Sequence, residues 1–496
     1  MEPTAVNVVD NNFLLVAVMI PLVGSLVVMT MKKNPNLREF ISSSASFLLL
    51  AVVLSFIPAL RDGKILQYTV FQLLPGLTIT LRADGFSMIF ALVASTLWAI
   101  SVFYSMGYMR AHDEPGQTRF NACFALAIFG AMGVAFSDNL LTMCLFYEIV
   151  SVCTYPLVAH HQDETSYEGA RKYIIYLTTT AKFFLLPAII LIYVLAGTLD
   201  FPDNILTGML PADTRGWLVV MLWVFCLFGF AKNGVMPFHH WLPGTMVAPT
   251  PVLALLHAVA VVKVGVFCTT RTMLYVFGLE TMHQLNLGIP TAYFVGFTII
   301  MASLIALGKD NLKARLAYST LSQLSYIILG VAMLTPHAIE GGLIHIVNHA
   351  FSKITLFFCA GAVSIVAHKK CISEMGGLGR TMPFTFAAFA VASLSMIGAP
   401  PVAGFISRWY LLVGSMEAGQ LGLLLILILS TVLNAGYFVP ITLQAFFGRR
   451  PDGQEETGIR EAPLAMLIPI LITATISVII GIFPHFMMQF VRMVTG

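Results

Sequence analysis

Charged residues are scarce in this chain of 496 residues. Asp, Glu, Lys and Arg make up 10% of it, whereas hydrophobic residues make up 58%. A soluble globular domain carries about 25% charged residues, so this composition excludes a soluble globular protein. The formal net charge of +3 is no sign of nucleic-acid binding, because the basic residues are sorted between loops. We therefore expect an integral membrane protein in a lipid bilayer, with no nucleic-acid partner.

Motifs that hold cofactors are also missing. The seven cysteines contain no C-x-x-C pair and six of them lie in apolar runs, so disulfides, zinc ribbons and iron–sulfur clusters are not expected. The chain has no Gly-rich phosphate loop, no redox motif and no nucleophile triad, and we predict neither cofactor nor catalytic residue. No Lys or Arg precedes Lys32, so we interpret the first apolar run as a membrane span and not as a signal peptide.

Long hydrophobic runs dominate what is present. Fourteen segments each approach the ~20 residues that cross the hydrocarbon core. They lie at about residues 12–31, 40–60, 84–108, 120–137, 139–159, 171–196, 216–247, 250–276, 289–308, 315–335, 340–367, 383–418, 421–447 and 463–488. The seventh and twelfth are too long for one crossing and contain Pro or Gly interruptions, so we expect broken helices there. The predicted fold class is an all-α integral membrane protein with about 14 transmembrane helices.

The basic residues between these segments are unevenly distributed. Loops after odd-numbered spans hold sixteen Lys and Arg, whereas loops after even-numbered spans hold five, namely Arg61, Lys64, Arg82, Arg215 and Arg271. Positively charged loops stay on the cytoplasmic side. The asymmetry predicts a multi-pass protein of the cell (inner) membrane with both termini on the outer face.

The two interrupted spans lie five spans apart. Residues 228–245 and 397–414 both break a hydrophobic run and both carry a cation. Five-helix units repeated in tandem must enter the membrane in opposite orientations, and paired broken helices in inverted halves indicate a transport site. We predict an N-terminal three-helix segment at 1–119, inverted five-helix repeats at 120–276 and 289–447, and a C-terminal helix within 448–496.

Five cations remain inside predicted spans: Lys182, Lys232, Lys263, Lys353 and Arg408. Glu148 is the one acid deep in a span. Each charge at the bilayer centre costs roughly 2.5–3.5 kcal/mol on insertion scales. Five cations and one anion cannot all form ion pairs, so some must be neutral, hydrated or exchanging protons.

Three ionisable residues share one helical face. His345, His349 and Lys353 are spaced i, i+4, i+8, about 6 Å apart per step. A zinc site on H-x-x-x-H is not expected, because no Glu follows the first His and no Cys lies on that face. We interpret the three residues as a column that passes protons.

Each of the other candidates has a structural alternative. Glu148 could lock two helices in a fixed ion pair or switch the proton affinity of a lysine. Lys232 and Lys263 could carry protons or extend to the interface. The tenth span is rich in hydroxyl side chains. These could hold a chain of water molecules, or they could equally form hydrogen bonds between helices.

Further candidates are His257, Lys182, His239 and His240. His257 precedes Lys263 by six residues and faces another direction on a continuous helix, so its place on a pathway stays open. Lys182 could belong to the path or extend to the membrane surface. His239 and His240 could gate the seventh-span break or line its outer end.

Three stretches resemble a known family. The run KNGVMPFHHWLPGTMVAPTPVLALLHAVAVVKVGVF is similar to the hallmark of proton-conducting antiporter-like subunits, and LKARLAYSTLSQLSYIILG and HIVNHAFSKITLFFCAGA resemble further motifs. That family includes the large membrane subunits of complex I, the D-type subunit of Mrp antiporters and relatives in membrane-bound hydrogenases. The resemblance covers nearly the whole chain and implies fourteen helices with inverted five-helix repeats.

The resemblance also implies roles for residues. It pairs Glu148 with Lys232, makes Lys263 the central carrier, and lets His345, His349 and Lys353 connect to the second half. The family usually ends this line with Lys or Glu, where this chain has Arg408. Arginine does not deprotonate in proteins, so we expect Arg408 to be a fixed charge, with release through water or a neighbour. The segment around Arg408 resembles the D-type antiporter and hydrogenase branch of the family more than it resembles the largest complex I subunit.

The predicted function is proton translocation by one integral subunit among other membrane subunits of a larger complex, and the sequence leaves open whether sodium ions are exchanged for the protons. The driving chemistry would belong to the partner subunits. Two other interpretations remain open: an autonomous secondary transporter of a small solute or Na⁺, and a structural scaffold that conducts nothing.

Overall fold

The computed structural model describes residues 7–74, 76–449 and 458–496. Arg450 of the charge count, and parts of the predicted segments 1–119 and 448–496, lie outside these residues. The first half contains α1 (Phe13–Thr30), α2 (Pro35–Ser55), α3 (Ile57–Arg61), α4 (Gly85–Ala111), α5 (Gln117–Ala135), α6 (Leu140–Val158), α7 (Glu164–Thr180), α8 (Leu186–Ala196), α9 (Gly216–Gly229), α10 (Trp241–Gly244), α11 (Thr250–Ala258), α12 (Val261–Arg271) and α13 (Gly278–Gln284).

The second half contains α14 (Gly288–Leu307), α15 (Leu312–Ala332), α16 (Pro336–Val366), α17 (Leu378–Thr381), α18 (Pro383–Ile397), α19 (Gly404–Glu417), α20 (Leu421–Phe447), α21 (Leu464–Ile482) and α22 (His485–Thr495). Two π-helical segments, Ala181–Leu185 and Thr272–Phe277, continue α7 and α12, and short 3₁₀ turns occupy Ala231–Asn233, Thr245–Val247 and Ile372–Glu374. Among the described residues, eleven helices are long and apolar enough to cross a membrane. The chain is therefore a predominantly helical membrane protein.

A small sheet departs from the predicted all-α fold. Strand β1 (Asn7–Asp10) pairs in parallel with β2 (Lys64–Leu74), which pairs antiparallel with β3 (Leu77–Ala83). Residues 64–83 are rich in Ile, Thr, Val, Tyr and Phe, which favour strands. They lie between the second and third predicted spans, where a search for long apolar runs does not detect short strands.

The backbone leaves helical geometry in both interrupted segments. α9 ends at Gly229 and α11 begins only at Thr250, and α18 ends at Ile397 before α19 begins at Gly404. Helix ends leave carbonyl groups without intrahelical donors, and these are bound by side chains. The Ala231 carbonyl accepts from Trp241 Nε1 at 3.1 Å, and the Met396 carbonyl accepts from Arg408 Nη2 at 3.3 Å.

The ionisable residues lie on the most enclosed helices. The apolar window within Thr250–Gln284 is 100% buried inside the protein and that of α16 is 83% buried, whereas those of α2 and α20 are 33% buried. Lys263 is on α12, and His345, His349 and Lys353 are on α16. These side chains are therefore surrounded by protein and not by lipid.

Two arginines and three aspartates meet where β3, α4 and α12 come together; we call them the Arg–Asp cluster (Arg82, Asp84, Asp138, Asp203 and Arg271). Arg271 Nη2 lies 2.9 Å from Asp84 Oδ2, and Arg82 Nη1 lies 2.8 Å from Asp203 Oδ1 and 3.5 Å from Asp138 Oδ1. Our placement of Arg271 in a loop was wrong: it lies in α12 and is 0% exposed. Burial is tolerated because Asp84 neutralises its charge.

Breaking this buried pair should destabilise the fold. Arg271→Met leaves Asp84 with one arginine fewer, and removing one partner of a buried pair costs about 3–5 kcal/mol. We expect a lower midpoint of thermal unfolding for the purified protein. The double variant Arg271→Met/Asp84→Asn should recover part of the loss, because it removes both charges. Equal midpoints for Arg271→Met and the parent would contradict this role.

Asp138 lies in the turn between α5 and α6, outside both helices. Burial raises the pKa of its carboxyl from 3.8 to about 6, although Arg82, Gln67 and Arg271 oppose the shift and Asp84 adds to it. The folded protein therefore binds this proton more tightly than the unfolded chain, so this group's contribution to stability falls as pH rises from about 4 to about 6. Asp138→Asn cannot titrate and should flatten that part of the stability–pH curve. An unchanged slope would assign the dependence to other groups.

Candidate functional site

A direct contact between two buried basic side chains forms the centre of the site. Lys263 Nζ of α12 lies 2.7 Å from His349 Nδ1 of α16. Lys263 is 0% exposed and His349 is 1% exposed. A protonated lysine has no acceptor, so the imidazole nitrogen accepts from the ammonium. His349 Nε2 has no hydrogen-bond partner among the described residues. The contact allows one proton to move between the two groups.

His345 lies one turn of α16 away. The two imidazole centroids are 6.1 Å apart, a distance that one water molecule spans. His345 Nε2 lies 3.0 Å from Gln323 Oε1, and its Nδ1 lies 2.8 Å from Ser407 Oγ. The amide oxygen only accepts, so Nε2 carries a hydrogen.

The Ser407 hydroxyl has two acceptors within reach. It lies 3.1 Å from the Gly404 carbonyl as well as 2.8 Å from His345 Nδ1. When the hydroxyl donates to His345, the imidazole is neutral. When it donates to Gly404, it can accept from a protonated Nδ1. Rotation of one hydroxyl therefore accommodates both charge states of His345.

Lys353 begins a second branch on the same helix. Its Nζ donates to Ser319 Oγ at 2.9 Å and to the Leu316 carbonyl at 3.2 Å. Ser319 Oγ also accepts from Tyr437 Oη at 3.1 Å, and Tyr437 contacts Asn434. Hydroxyls and an amide thus connect α16 through α15 to α20.

Both branches converge on the Met396 carbonyl beside Arg408. This carbonyl accepts from Gln323 Nε2 at 3.5 Å and from Asn434 Nδ2 at 3.4 Å, as well as from Arg408. The Arg408 guanidinium lies 3.8 Å from the centroid of the Tyr326 ring, and its Nη1 lies 3.3 Å from Thr431 Oγ1. No carboxylate pairs with Arg408 among the described residues, so neutral dipoles and a ring face hold its charge.

The first half of the site lies around Tyr147. Lys232 Nζ donates to the Tyr147 carbonyl at 2.8 Å and lies 3.1 Å from the centroid of its ring. Glu148, the next residue, is half-buried and its Oε1 has no hydrogen-bond partner among the described residues. Lys232 and Glu148 form no ion pair within 4.0 Å among the described residues. The Lys232 ammonium is bound instead to the carbonyl and the ring of Tyr147.

A glycine sets the spacing between Lys232 and α12. A Cβ on Gly265 would lie 2.2 Å from the carbonyl carbon of Lys232. Any side chain there would therefore force the 3₁₀ turn that carries Lys232 away from the helix that carries Lys263. The close approach of these two segments depends on this glycine.

His257 joins the second branch by an indirect route. Its Nδ1 lies 3.2 Å from Thr320 Oγ1. Thr320 in turn donates to the Leu316 carbonyl, which also accepts from Lys353. The angle expected between His257 and Lys263 assumed a continuous helix, whereas α11 ends at Ala258 and α12 begins at Val261.

Three predicted candidates lie away from the row of buried side chains that extends from Lys232 through Lys263 and His349 toward Arg408. Lys182 is exposed in the π-helical segment that follows α7, and His240 is exposed beside the seventh-span break. His239 is buried, with its Nδ1 3.2 Å from the Pro237 carbonyl and its ring 4.2 Å from that of His240. The structure brings none of them into contact with Lys263 or α16.

Some polar side chains of α15 contact ionisable residues, as a proton pathway requires, whereas others join neighbouring helices. Ser319 and Thr320 contact Lys353 and His257, and Gln323 contacts His345. Ser322 instead joins Ser303 of α14 at 3.0 Å, which connects helices.

Sequence reasoning missed Tyr147, Ser407, Tyr437 and Asn434. Tyr147 and Ser407 directly precede the predicted Glu148 and Arg408, so a search among the neighbours of ionisable residues would have found them. Tyr437 and Asn434 lie in a span without a charge and give no such signal. Among the described residues, no group of three or more His, Cys, Asp or Glu is arranged to hold a metal.

Comparison with known proteins places this geometry in context. Residues 137–434 match the family profile described as NADH:quinone oxidoreductase/Mrp antiporter, TM. Residues 76–121 match the profile of the N-terminus of chain 5 of NADH-ubiquinone oxidoreductase (complex I). The first match covers more than half of the chain and includes every predicted site residue.

Two curated relatives cover most of the chain. NADH-quinone oxidoreductase subunit N of Desulforudis audaxviator is 31% identical over 90% of this chain and 91% of its own length. Na(+)/H(+) antiporter subunit A1 of Staphylococcus haemolyticus is 29% identical over 96% of this chain, which spans only 61% of that subunit.

Two solved structures share the fold. A chain of the Mrp complex from Dietzia sp. aligns with a TM-score of 0.85 at 20% identity, covering 98% of this chain and 96% of that one. A chain of the membrane-bound sulfane sulfur reductase, an archaeal respiratory complex, aligns with a TM-score of 0.86 at 23% identity, covering 98% and 97%.

The contact between Ser407 and His345 leads to a test of the row. Ser407→Ala removes the hydroxyl that accommodates both charge states of His345. A lost hydrogen bond is worth about 0.5–1.5 kcal/mol, so we expect proton transport by the assembled complex to slow about three- to tenfold. Ser415→Ala is the matched control, because the hydroxyl of this buried serine on the same helix donates to the Leu412 carbonyl and bonds no other group in the described part of the chain. Equal rates for both variants and the parent would remove Ser407 from the row.

Proposed function

Because the chain belongs to the NADH:quinone oxidoreductase/Mrp antiporter transmembrane family, we propose that it is the proton-translocating, antiporter-like subunit of a multisubunit membrane complex. Protons move within it along a row of buried side chains from Lys232 through Lys263 and His349 toward Arg408. The observation that carries this proposal is the 2.7 Å contact between Lys263 and His349. Two buried basic groups form that contact, and no carboxylate pairs with either of them among the described residues.

Lys263 is the central carrier in this scheme. Burial penalises its charged form, and His349 offers an acceptor for the proton it releases. From His349 the proton reaches His345 across one water, where Gln323 and Ser407 hold the imidazole. Lys353 extends the row through Ser319 and Tyr437.

Glu148 and Lys232 form the input end. Because the Lys232 ammonium is bound to the ring and carbonyl of Tyr147, the Glu148 carboxylate stays available to a second cation. We propose that Lys232 moves between Tyr147 and Glu148 and that its distance from Glu148 sets how readily it passes a proton to Lys263. Lys182 is exposed on the π-helical segment after α7 and is therefore placed to meet a partner subunit.

Arg408 ends the row as a fixed charge. A guanidinium does not release its proton, and no carboxylate neutralises it among the described residues. It repels protons arriving at His345, so release passes through Ser407 or through the branch ending at Asn434. This differs from a terminal lysine or glutamate, which would itself load and unload.

We further propose the finer topology that the charge pattern predicts. Fourteen spans, with α9 and α10 forming the broken seventh and α18 and α19 the broken twelfth, make inverted repeats at 120–276 and 289–447. The flanking units are 1–119 and 448–496. Both termini face outward from the cell membrane, and the α9–α11 and α18–α19 breaks support the pairing of the halves.

The partners are other integral membrane subunits, since both solved relatives come from membrane complexes. The transported ion is the proton, and exchange for sodium is a property to test in the same assay. Redox or other driving chemistry would be supplied by the partner subunits.

Replacement of Lys263 tests this function. Lys263→Ala removes the carrier, and Lys263→Arg keeps the charge but cannot release a proton. Both should reduce driven proton transport by the assembled complex at least about 100-fold, as loss of a positioned proton-transfer group does. Transport is measured in proteoliposomes with a pH-sensitive dye.

Assembly is checked by co-purification of the partner subunits with each variant. Full transport by either variant would refute the central role of Lys263. Solute or sodium uptake by the isolated chain in vesicles would favour an autonomous transporter, and an absence of ion flux in the intact parent complex would favour a scaffold.

A further inference from the structure

Helix α12 carries a second buried cation on the face that carries Lys263. Lys263, Phe267 and Arg271 are spaced i, i+4, i+8, and all three are 0% exposed. Lys263 and Arg271 are therefore separated by about 12 Å along the helix. The side chain between them is a phenyl ring.

Two further rings enclose Phe267. Phe86 and Phe90, one turn apart on α4, have centroids 4.7 Å and 5.2 Å from that of Phe267. Phe86 is 1% exposed and Phe90 is 0% exposed. We call these three residues the phenylalanine barrier.

Beyond the barrier the protein becomes polar. The Arg271 guanidinium lies 5.4 Å from the Phe86 centroid and pairs with Asp84, and the Arg–Asp cluster extends through Arg82 to Asp203. The Asp203 side chain is 54% exposed. A continuous set of charges therefore runs from the protein surface to one face of the barrier, with Lys263 on the other side.

A chain of water across this short interval would connect Lys263 directly to the exposed end of the cluster. Protons on Lys263 could then leave without passing His349, and transport would lose its coupling. Apolar cavities inside proteins stay dry, whereas polar cavities of sufficient size hold water. Three packed phenyl rings offer no polar group to hold water there.

We propose that the phenylalanine barrier insulates Lys263 from the Arg–Asp cluster and thereby forces protons to leave Lys263 through His349. This inference rests on the proposed function of Lys263. Phe86, Phe90 and Phe267 would thus contribute to the coupling of proton transport by excluding water, although none of them carries a proton.

Passive proton leak tests the barrier. The assembled complex is placed in proteoliposomes without driving substrate, and the decay of a preset pH gradient is recorded. Phe267→Ser opens space and adds a hydroxyl, so the gradient should decay several-fold faster than with the parent. Phe267→Leu fills most of the volume with an apolar side chain and should leave the decay unchanged.

A second position and a matched control separate a leak from general damage. Phe90→Ser and Phe90→Leu should reproduce the same contrast. Phe56→Ser is the control, because Phe56 is 1% exposed and its ring contacts that of Phe136 at 5.9 Å and not a ring of the barrier. It should leave the decay at the parent level, and each variant is first checked for complete assembly.

The route of the leak is tested by combining Phe267→Ser with Lys263→Ala. If the leak passes through Lys263, the double variant should lose most of it. Gradients that decay at the parent rate in both serine variants of the barrier would overturn the proposal, as would an equal leak in Phe56→Ser. A leak in Phe267→Ser together with full driven transport by Lys263→Ala would refute the proposed function while retaining a water barrier.

Discussion

The burial of an ionisable side chain in a membrane protein has two common solutions: an opposite charge neutralises it, or it gives up its proton. The rest of this structure depends on the second solution, realised in the hydrogen bond between Lys263 and His349. Two basic groups at 2.7 Å cannot both be charged without strong repulsion, because buried charges are poorly screened. At most one of the two groups therefore carries a positive charge at a time, and the packing of α12 against α16 holds them at this distance.

Neutralisation by an opposite charge occurs about 12 Å from Lys263 along the same helix. Arg271 and Asp84 form a buried ion pair within a cluster where each charge has an opposite neighbour. A charge held in this way is fixed, since removing its partner is costly. The contrast separates a neutralised ion pair from a pair of basic groups along a single helix, with aromatic rings between them. Arg408 is a third case, a permanent charge surrounded by carbonyl, hydroxyl and ring dipoles.

Much of this site could be predicted from the sequence, because burying a charge in an apolar run is costly wherever it occurs. Lys263, Lys353 and Arg408 stand out by that criterion, and the four-residue spacing of His345, His349 and Lys353 places them on one face. The contact between Lys263 and His349 could not be predicted, since it depends on how α12 packs against α16. The same holds for Lys232, which reaches Tyr147 where a carboxylate was expected, and for Arg271, whose partner Asp84 is 187 residues away. The strands at 64–83 escaped notice because short polar-flanked strands leave no long apolar run.

The positions of ordered water around Lys263 would show whether protons leave this residue through His349. A density map of the assembled complex in lipid, at a resolution that shows individual water molecules, would locate the hydrated segments. The account predicts water bridging His349 to His345, and none between Lys263 and Arg271. A dry gap between the two histidines, or a file of water past Phe267, would contradict it.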